Sequence, residues 1–241
     1  GSRDAWVDDG RVEGSHFEMT DQGRPHVERN PGGCYTDGID MHSARGWVVR
    51  NNTCRDIYCA GEGLAEHAIH FWSASRGTLV ENNRIYNCAR GIGFGLVKDG
   101  KSRDYPDNPY PNTGHIGHYD GIIRNNVIYA DNPWFDTGIE LAQARGARVY
   151  HNTVYSTDGA TGFFSSIDYR FPNTQVEIRN NLVNRITNRN SAQGTVDHNL
   201  EDAGPDLFVD AGGLDFHLAG DADAAIDQGA EVDQAGVDID G

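Results

Sequence analysis

Ile123-Arg124-Asn125-Asn126-Val127-Ile128 is the stretch whose reading decides the fold. An aliphatic residue is followed three positions later by Asn, and an apolar residue stands two positions beyond that. The pattern recurs at Val49-Arg50-Asn51-Asn52-Thr53-Cys54, Val80-Glu81-Asn82-Asn83-Arg84-Ile85, Val149-Tyr150-His151-Asn152-Thr153-Val154 and Ile178-Arg179-Asn180-Asn181-Leu182-Val183. Val196-Asp197-His198-Asn199 is a degenerate copy, and Val12-Glu13-Gly14-Ser15-His16-Phe17 reads as an earlier one with Ser in the Asn place. The flanking aliphatics read as short strands with their side chains turned inward. The Asn reads as a tight turn, because Asn tolerates left-handed backbone and hydrogen-bonds locally. Stacked coils then set Asn over Asn in a ladder of side-chain amides. From Val49 the copies start 31, 43, 26, 29 and 18 residues apart, so some coils carry loops at a corner.

A second element precedes each Asn motif: Gly38-Ile39-Asp40-Met41-His42, Ala68-Ile69-His70-Phe71-Trp72, Gly91-Ile92-Gly93-Phe94-Gly95, Gly138-Ile139-Glu140-Leu141-Ala142 and Ser166-Ile167-Asp168-Tyr169-Arg170. Its Ile lies 13, 14, 34, 13 and 14 residues before the motif Asn, so the third coil carries an insertion over residues 96–119. Only 37% of the 241 residues are hydrophobic, which a thin-cored solenoid tolerates. The formal net charge of −16 leaves no basic face for nucleic acid and disfavours an anionic membrane surface. No apolar run reaches membrane-spanning length.

The Gly-Ile-Asp and Arg-Asn-Asn repeats resemble the right-handed parallel β-helix repeat proteins of the pectate-lyase-like class, which includes polysaccharide lyases, alginate C5-epimerases and several glycoside hydrolases. The resemblance covers residues 38–200. It implies an all-β, single-stranded right-handed parallel β-helix with coils over 3–201, and a secreted, periplasmic or cell-surface location. From Asp202 the chain turns rich in Asp, Ala and Gly, and Ala225-Ile226-Asp227-Gln228-Gly229 resembles the closing segment of secreted bacterial β-helix proteins. Residues 202–241 are therefore expected to cap the last coil. The aspartates there offer oxygen ligands to Ca2+, without the twelve-residue loop of an EF-hand. Gly1-Ser2 reads as a cloning scar. Cys34, Cys54, Cys59 and Cys88 form no CxxC pair. A disulfide such as Cys59–Cys88 fits their neighbouring segments, although connectivity is not legible in the sequence.

Strand alternation places the functional face. If each Ile points inward, Asp40, His70, Gly93, Glu140 and Asp168 form one outward column, and His42, Trp72, Gly95, Ala142 and Arg170 a second. A polysaccharide is the expected partner. Trp72 would stack on a sugar ring, and Gly93 and Gly95 would let a chain approach the backbone. The insertion brings Lys98, Tyr105 and Tyr119 beside those glycines. Glu66, His67 and His70 lie close to Asp40 and His42, but their spacing matches no defined ligand motif and assigns no metal.

The leading expectation is a polysaccharide lyase. Such an enzyme removes the C5 proton of a uronate, which demands a base and a neutraliser for the carboxylate. His70, His42, Tyr105 and Tyr119 are the candidate bases, and Lys98, Arg170 and Arg90 the neutralisers. Asp40-Met41-His42 is similar to the Asp-Pro-His-Asp motif of alginate epimerases but lacks its Pro and final Asp. A β-helix glycoside hydrolase would instead pair carboxylates from Asp40, Glu140, Asp168 and Glu66. A non-catalytic carbohydrate-binding or adhesin domain would keep the aromatics without tuned proton donors.

Overall fold

The computed structural model describes residues 6–29, 33–61, 63–100 and 103–241; Gly1-Ser2, Glu62 and Lys101 lie outside the described residues. The repeats become short strands, and the chain winds through three parallel sheets. Each complete coil gives a strand to the first sheet, turns at its Asn, then gives one to the second and one to the third. In coil order, the first sheet holds Arg11–Glu13, Val48–Arg50, Leu79–Glu81, Ile122–Arg124, Ala144–Tyr150, Gln175–Arg179 and Gln193–Asp197, with the two-residue strands Ser75–Arg76 and His118–Tyr119 extending it beside Ala144–Tyr150. The second holds His16–Glu18, Thr53–Arg55, Arg84–Tyr86, Val127–Ala130, Thr153–Ser156 and Leu182–Val183. The third holds Ile39–His42, His67–Trp72, Arg90–Phe94, Thr137–Ala142, Ser165–Arg170 and Ile186–Arg189. No helix among the described residues is long and apolar enough to cross a membrane.

The interior is a set of aliphatic columns. Val49, Val80, Ile123, Val149 and Ile178 are fully buried on the first sheet, and Ile69, Ile92, Ile139 and Ile167 on the third. Burying one such side chain contributes about 1.5–3 kcal/mol, so a narrow solenoid gains its stability coil by coil.

The turn divides its work between two residues rather than resting on one. The left-handed residue is the one before the ladder Asn: Asn51, Asn82, Asn125, His151, Asn180 and His198 all have φ between 51° and 58°. Asn52, Asn83, Asn126, Asn152 and Asn181 are instead buried, each reaching the next coil. The Oδ1 of Asn126 accepts from the backbone N–H (2.9 Å) and the Nδ2 (3.0 Å) of Asn83. Its own Nδ2 donates to Asn152 Oδ1 (2.9 Å) and to the carbonyl of Val80 (3.0 Å).

The sequence left the cysteine pairing open. The disulfide joins Cys34 to Cys59, while Cys54 and Cys88 are buried free thiols. The reason is direction: Cys54 and Cys88 pack in the helix interior, whereas Cys34 and Cys59 meet Ala65 and Ala89 in a separate cluster. The C-terminal segment lies along the flank, not over the last coil. Leu207, Phe208, Ala211 and Ala222 pack on Tyr86, Tyr129 and Tyr155, which point outward from the second sheet. The tail then runs back until Asp240 meets Arg84 at 3.3 Å.

The described residues of the insertion pack on the first-sheet side. His118–Tyr119 pairs with Ser75–Arg76 and with Ala144–Arg145. Tyr105, Ile116 and Tyr119 form a small core with Ala74, and Arg103 clamps Asp8 with bonds of 2.6 and 2.8 Å.

Replacing Asn126 by Ala should cost about 3 kcal/mol in urea unfolding, because it strands buried donors of Asn83 as well as losing the bonds Asn126 makes. A second expectation concerns His118, which is fully buried, stacked on Phe94 and bonded to Thr78 Oγ1 at 2.7 Å. Burial drives its pKa down to about 3. Below pH about 6.5 the unfolded chain binds a proton there that the folded chain refuses, so stability present above that pH is lost as pH falls towards the folded value. His118→Asn should therefore flatten the acid limb of the stability curve by about 1.4 kcal/mol per pH unit, read by urea unfolding across pH 6 to 4.

Candidate functional site

The outward columns of the third sheet form in the expected register. Asp40 pairs with His70, His70 with Gly93, Gly93 with Glu140, and Glu140 with Asp168. His42 pairs with Trp72, and Ala142 with Arg170. The face is nevertheless not an open groove. His70, Glu140 and Asp168 are buried, although they point away from the interior. Long side chains and the start of the insertion cover them: the Leu96 carbonyl accepts from Arg170 Nη2 at 3.2 Å, and the Gly95 carbonyl lies 3.0 Å from His70 Nε2.

Several side chains proposed to meet a sugar are occupied within the protein. The Trp72 ring stacks on His70 at 5.4 Å between centroids, has His42 on it at 4.3 Å, and donates its N–H to Asp40 Oδ1 at 2.9 Å. Gly93 does not make room for a ligand; a Cβ there would come within 2.8 Å of the His67 ring. Gly95 is required by its own backbone, with φ +74° and a would-be Cβ 1.8 Å from the Ala142 carbonyl. Tyr105 and Tyr119 belong to the insertion's own core, and Tyr105 donates its hydroxyl to the Ala74 carbonyl at 2.7 Å. Lys98 is exposed at the rim, its carbonyl held by Gln143 Nε2.

The structure instead gathers a buried ionic cluster around His67. This residue opens the strand His67–Trp72, pairs with Arg90 in the next coil, and lies 4.4 Å from the His70 ring. Arg90 reaches Glu66 at 3.0 Å and comes no closer than 3.8 Å to Asp136. Arg170 reaches Glu140 at 2.5 Å and Asp168 at 3.8 Å. Arg189 grips Asp168 through two parallel bonds of 2.9 and 2.8 Å. Asp37, just before the first strand of the sheet, sets its Oδ1 3.9 Å from His70 Nδ1. Asp40 holds His42 Nε2 at 3.1 Å and accepts from the Tyr35 hydroxyl at 3.1 Å.

Burial sets the protonation states. It lowers His67 well below the ordinary imidazole value, with the nearby His70, Arg90 and Arg170 adding to the effect. It lowers His70 to about 4. It raises Asp37 to about 7, helped by the charges of Asp40 and Glu66. Glu140 also rises to about 7, because burial outweighs the Arg170 guanidinium beside it. At neutral pH the cluster thus holds neutral imidazoles beside guanidiniums.

Four buried nitrogens here have no hydrogen-bond partner among the described residues: Nδ1 and Nε2 of His67, Nε of Arg90 and Nε of Arg170. Orphaned buried donors are costly and point to a ligand. His67, Asp37 and Arg189 were not among the site residues read from the columns. The first two precede the alternating positions of their strands, and Arg189 lies one coil beyond the last Gly-Ile element.

The family described as right-handed β-helix region matches residues 18–183, and the chain belongs to it. No curated protein and no solved structure matches the chain. Its activity therefore has to be argued from the site itself.

The contact between Gly93 and His67 gives a direct test of the cluster's packing. Gly93→Ala should destabilise the protein by about 1–3 kcal/mol. Most of that loss should vanish when the change is made in a His67→Ala background, so a double-mutant cycle by urea unfolding should show strong coupling.

Proposed function

We propose that this chain is a carbohydrate-active β-helix protein, a lyase that cleaves a uronate-containing polysaccharide by C5 proton abstraction and β-elimination. The observation that carries the reading is the set of orphaned buried nitrogens on Arg90, Arg170 and His67. A uronate carboxylate fits two guanidiniums, which accept its charge in planar, paired geometry. Neutralising that carboxylate acidifies the adjacent C5–H. His67, neutral through burial, is then a base that needs no prior deprotonation. In the step, His67 takes the C5 proton, the C5–H electrons form the C4–C5 double bond, and the C4–O bond breaks. The departing oxygen takes a proton from Glu140, whose pKa of about 7 leaves it partly protonated at neutrality.

Access requires movement. Arg90 and Arg170 are each 16% exposed and roof the fully buried His67. On this reading the substrate carboxylate draws both guanidiniums outward from Glu66 and Glu140, and uncovers the imidazole. The hydrolase reading loses support from the same geometry. Asp168 is wholly buried and gripped by Arg189, so it is not free to act as the second carboxylate that a hydrolase would pair with Glu140. The proposed place of action is outside the cytosol, secreted, periplasmic or on the cell surface. The Cys34–Cys59 disulfide favours an oxidising compartment.

Ultraviolet absorbance during incubation with alginate, pectate, glucuronan and sulfated glycosaminoglycans tests the reading. A rise on one polymer is expected, reporting the unsaturated product. His67→Ala should slow it about 10²–10⁴-fold, the usual worth of a general base. No rise on any polymer, or full activity in His67→Ala, would remove the lyase assignment.

A further inference from the structure

We infer that Asp37, Asp40 and His70 form a site for a first-row divalent transition-metal ion, of the Zn2+ or Mn2+ type. The inference is independent of the lyase reading. It starts from a tautomer. The Gly95 carbonyl can only accept, so at 3.0 Å from His70 Nε2 it fixes the proton on that nitrogen. Nδ1 is left as a lone pair. That lone pair faces Asp40 Oδ1 at 3.8 Å and Asp37 Oδ1 at 3.9 Å. Neither distance is a hydrogen bond, and a lone pair has no attraction for carboxylate oxygens.

The second observation is Asp37 itself. Its side chain is only 8% exposed, and its Oδ1 has no hydrogen-bond partner among the described residues. A buried carboxylate oxygen without a donor is costly. A cation bound between the three atoms would satisfy it and would give the lone pair of His70 a partner. All three ligand atoms lie within 4.8 Å of one another. Two ligands each about 2.1 Å from a tetrahedral metal are roughly 3.4 Å apart, so a small shift brings each carboxylate to metal-sharing distance from His70 Nδ1.

The surroundings hold these ligands in place, as outer-shell partners of metal sites do. Asp40 Oδ1 accepts from Trp72 Nε1 at 2.9 Å, while its Oδ2 accepts from Tyr35 at 3.1 Å and meets His42 Nε2 at 3.1 Å. The Trp72 ring lies parallel to His70, within 5° of its plane, and fixes the imidazole orientation. One imidazole nitrogen with two carboxylates selects a borderline transition metal over Ca2+ or Mg2+, which prefer all-oxygen shells. The neighbouring trio of Glu66, His67 and His70 is the weaker candidate, because Glu66 already carries the Arg90 guanidinium at 3.0 Å.

The test is metal binding to the full chain with no substrate present. After dialysis against a chelator, Zn2+ and Mn2+ are titrated by calorimetry and bound metal is counted by mass spectrometry. One tight equivalent of Zn2+ or Mn2+ is expected, with a rise in Tm, undiminished by millimolar Ca2+. Asp37→Asn should weaken it at least tenfold. Asp40→Asn should do the same and serves if Asp37→Asn fails to fold. His217→Ala, in the exposed trio with Asp215 and Asp240, should leave that equivalent intact. No stoichiometric binding, displacement by Ca2+, or unchanged affinity in both Asp variants would overturn the site. Because no turnover is read, these outcomes leave the lyase reading to its own assay.

Discussion

Everything in this fold hangs on one repeated contact, the amide of an asparagine reaching one coil up and one coil down. From Asn83 onward each ladder Asn accepts the backbone N–H and the side-chain Nδ2 of the coil before it, as Asn83 does from Asn52 at 3.0 Å in both bonds. An amide suits this work because it carries an acceptor and two donors on one planar group. Parallel strands have no tight hairpin to fix their register. The ladder supplies that missing constraint, pinning the corner where the first sheet passes to the second. Loops of very different length elsewhere then leave the stacking undisturbed, and the coil that carries the insertion joins its neighbours in the same register as the others.

Fixed register has a chemical consequence on the third sheet. Residues at equal offset from each inward Ile are brought side by side, so polar residues scattered through the chain become neighbours at strand spacing. Carboxylates and imidazoles so close together would repel or remain unsatisfied without compensation. The structure answers with guanidiniums one coil away: Arg90 for Glu66, Arg170 for Glu140 and Arg189 for Asp168. These arginines also exclude water with their stems, which is how an outward face becomes buried. Low dielectric under that cover keeps the imidazoles neutral and pushes the Asp37 and Glu140 carboxyls towards neutrality.

The sequence reveals the columns but not their cover. Periodicity is local, and the Val-x-x-Asn and Gly-Ile patterns encode which residue faces inward on every coil, so the coil stacking and the pairing of Asp40, His70, Gly93, Glu140 and Asp168 were legible. Cover is non-local. That Gly93 accommodates His67 rather than a sugar depends on a side chain 26 residues earlier, at a strand start where alternation gives no guidance. The flank packing of the tail had a readable sign that periodicity of the core obscured. Tyr86, Tyr129 and Tyr155 stand at one outward offset on the second sheet, and an aligned stripe of aromatics on a solenoid calls for something to cover it.

The two halves of the polar cluster answer different electrostatic demands. Around Asp37, Asp40 and the lone pair of His70, acceptors outnumber donors, and the balance calls for a cation. Around His67, Arg90 and Arg170, donors outnumber acceptors, and the balance calls for an anion. The His67 and His70 rings, 4.4 Å apart, mark the border between them. Under the proposed function, opposite demands held that close by a rigid ladder favour a ligand that meets both, carrying a carboxylate towards the arginines and hydroxyl donors towards the carboxylates. A uronate sugar has this distribution, with its carboxyl at C5 and ring hydroxyls across the ring. On this argument the acidic side of the cluster is not a solvated surface that happens to lie beside the arginines; it is the other half of the same recognition problem.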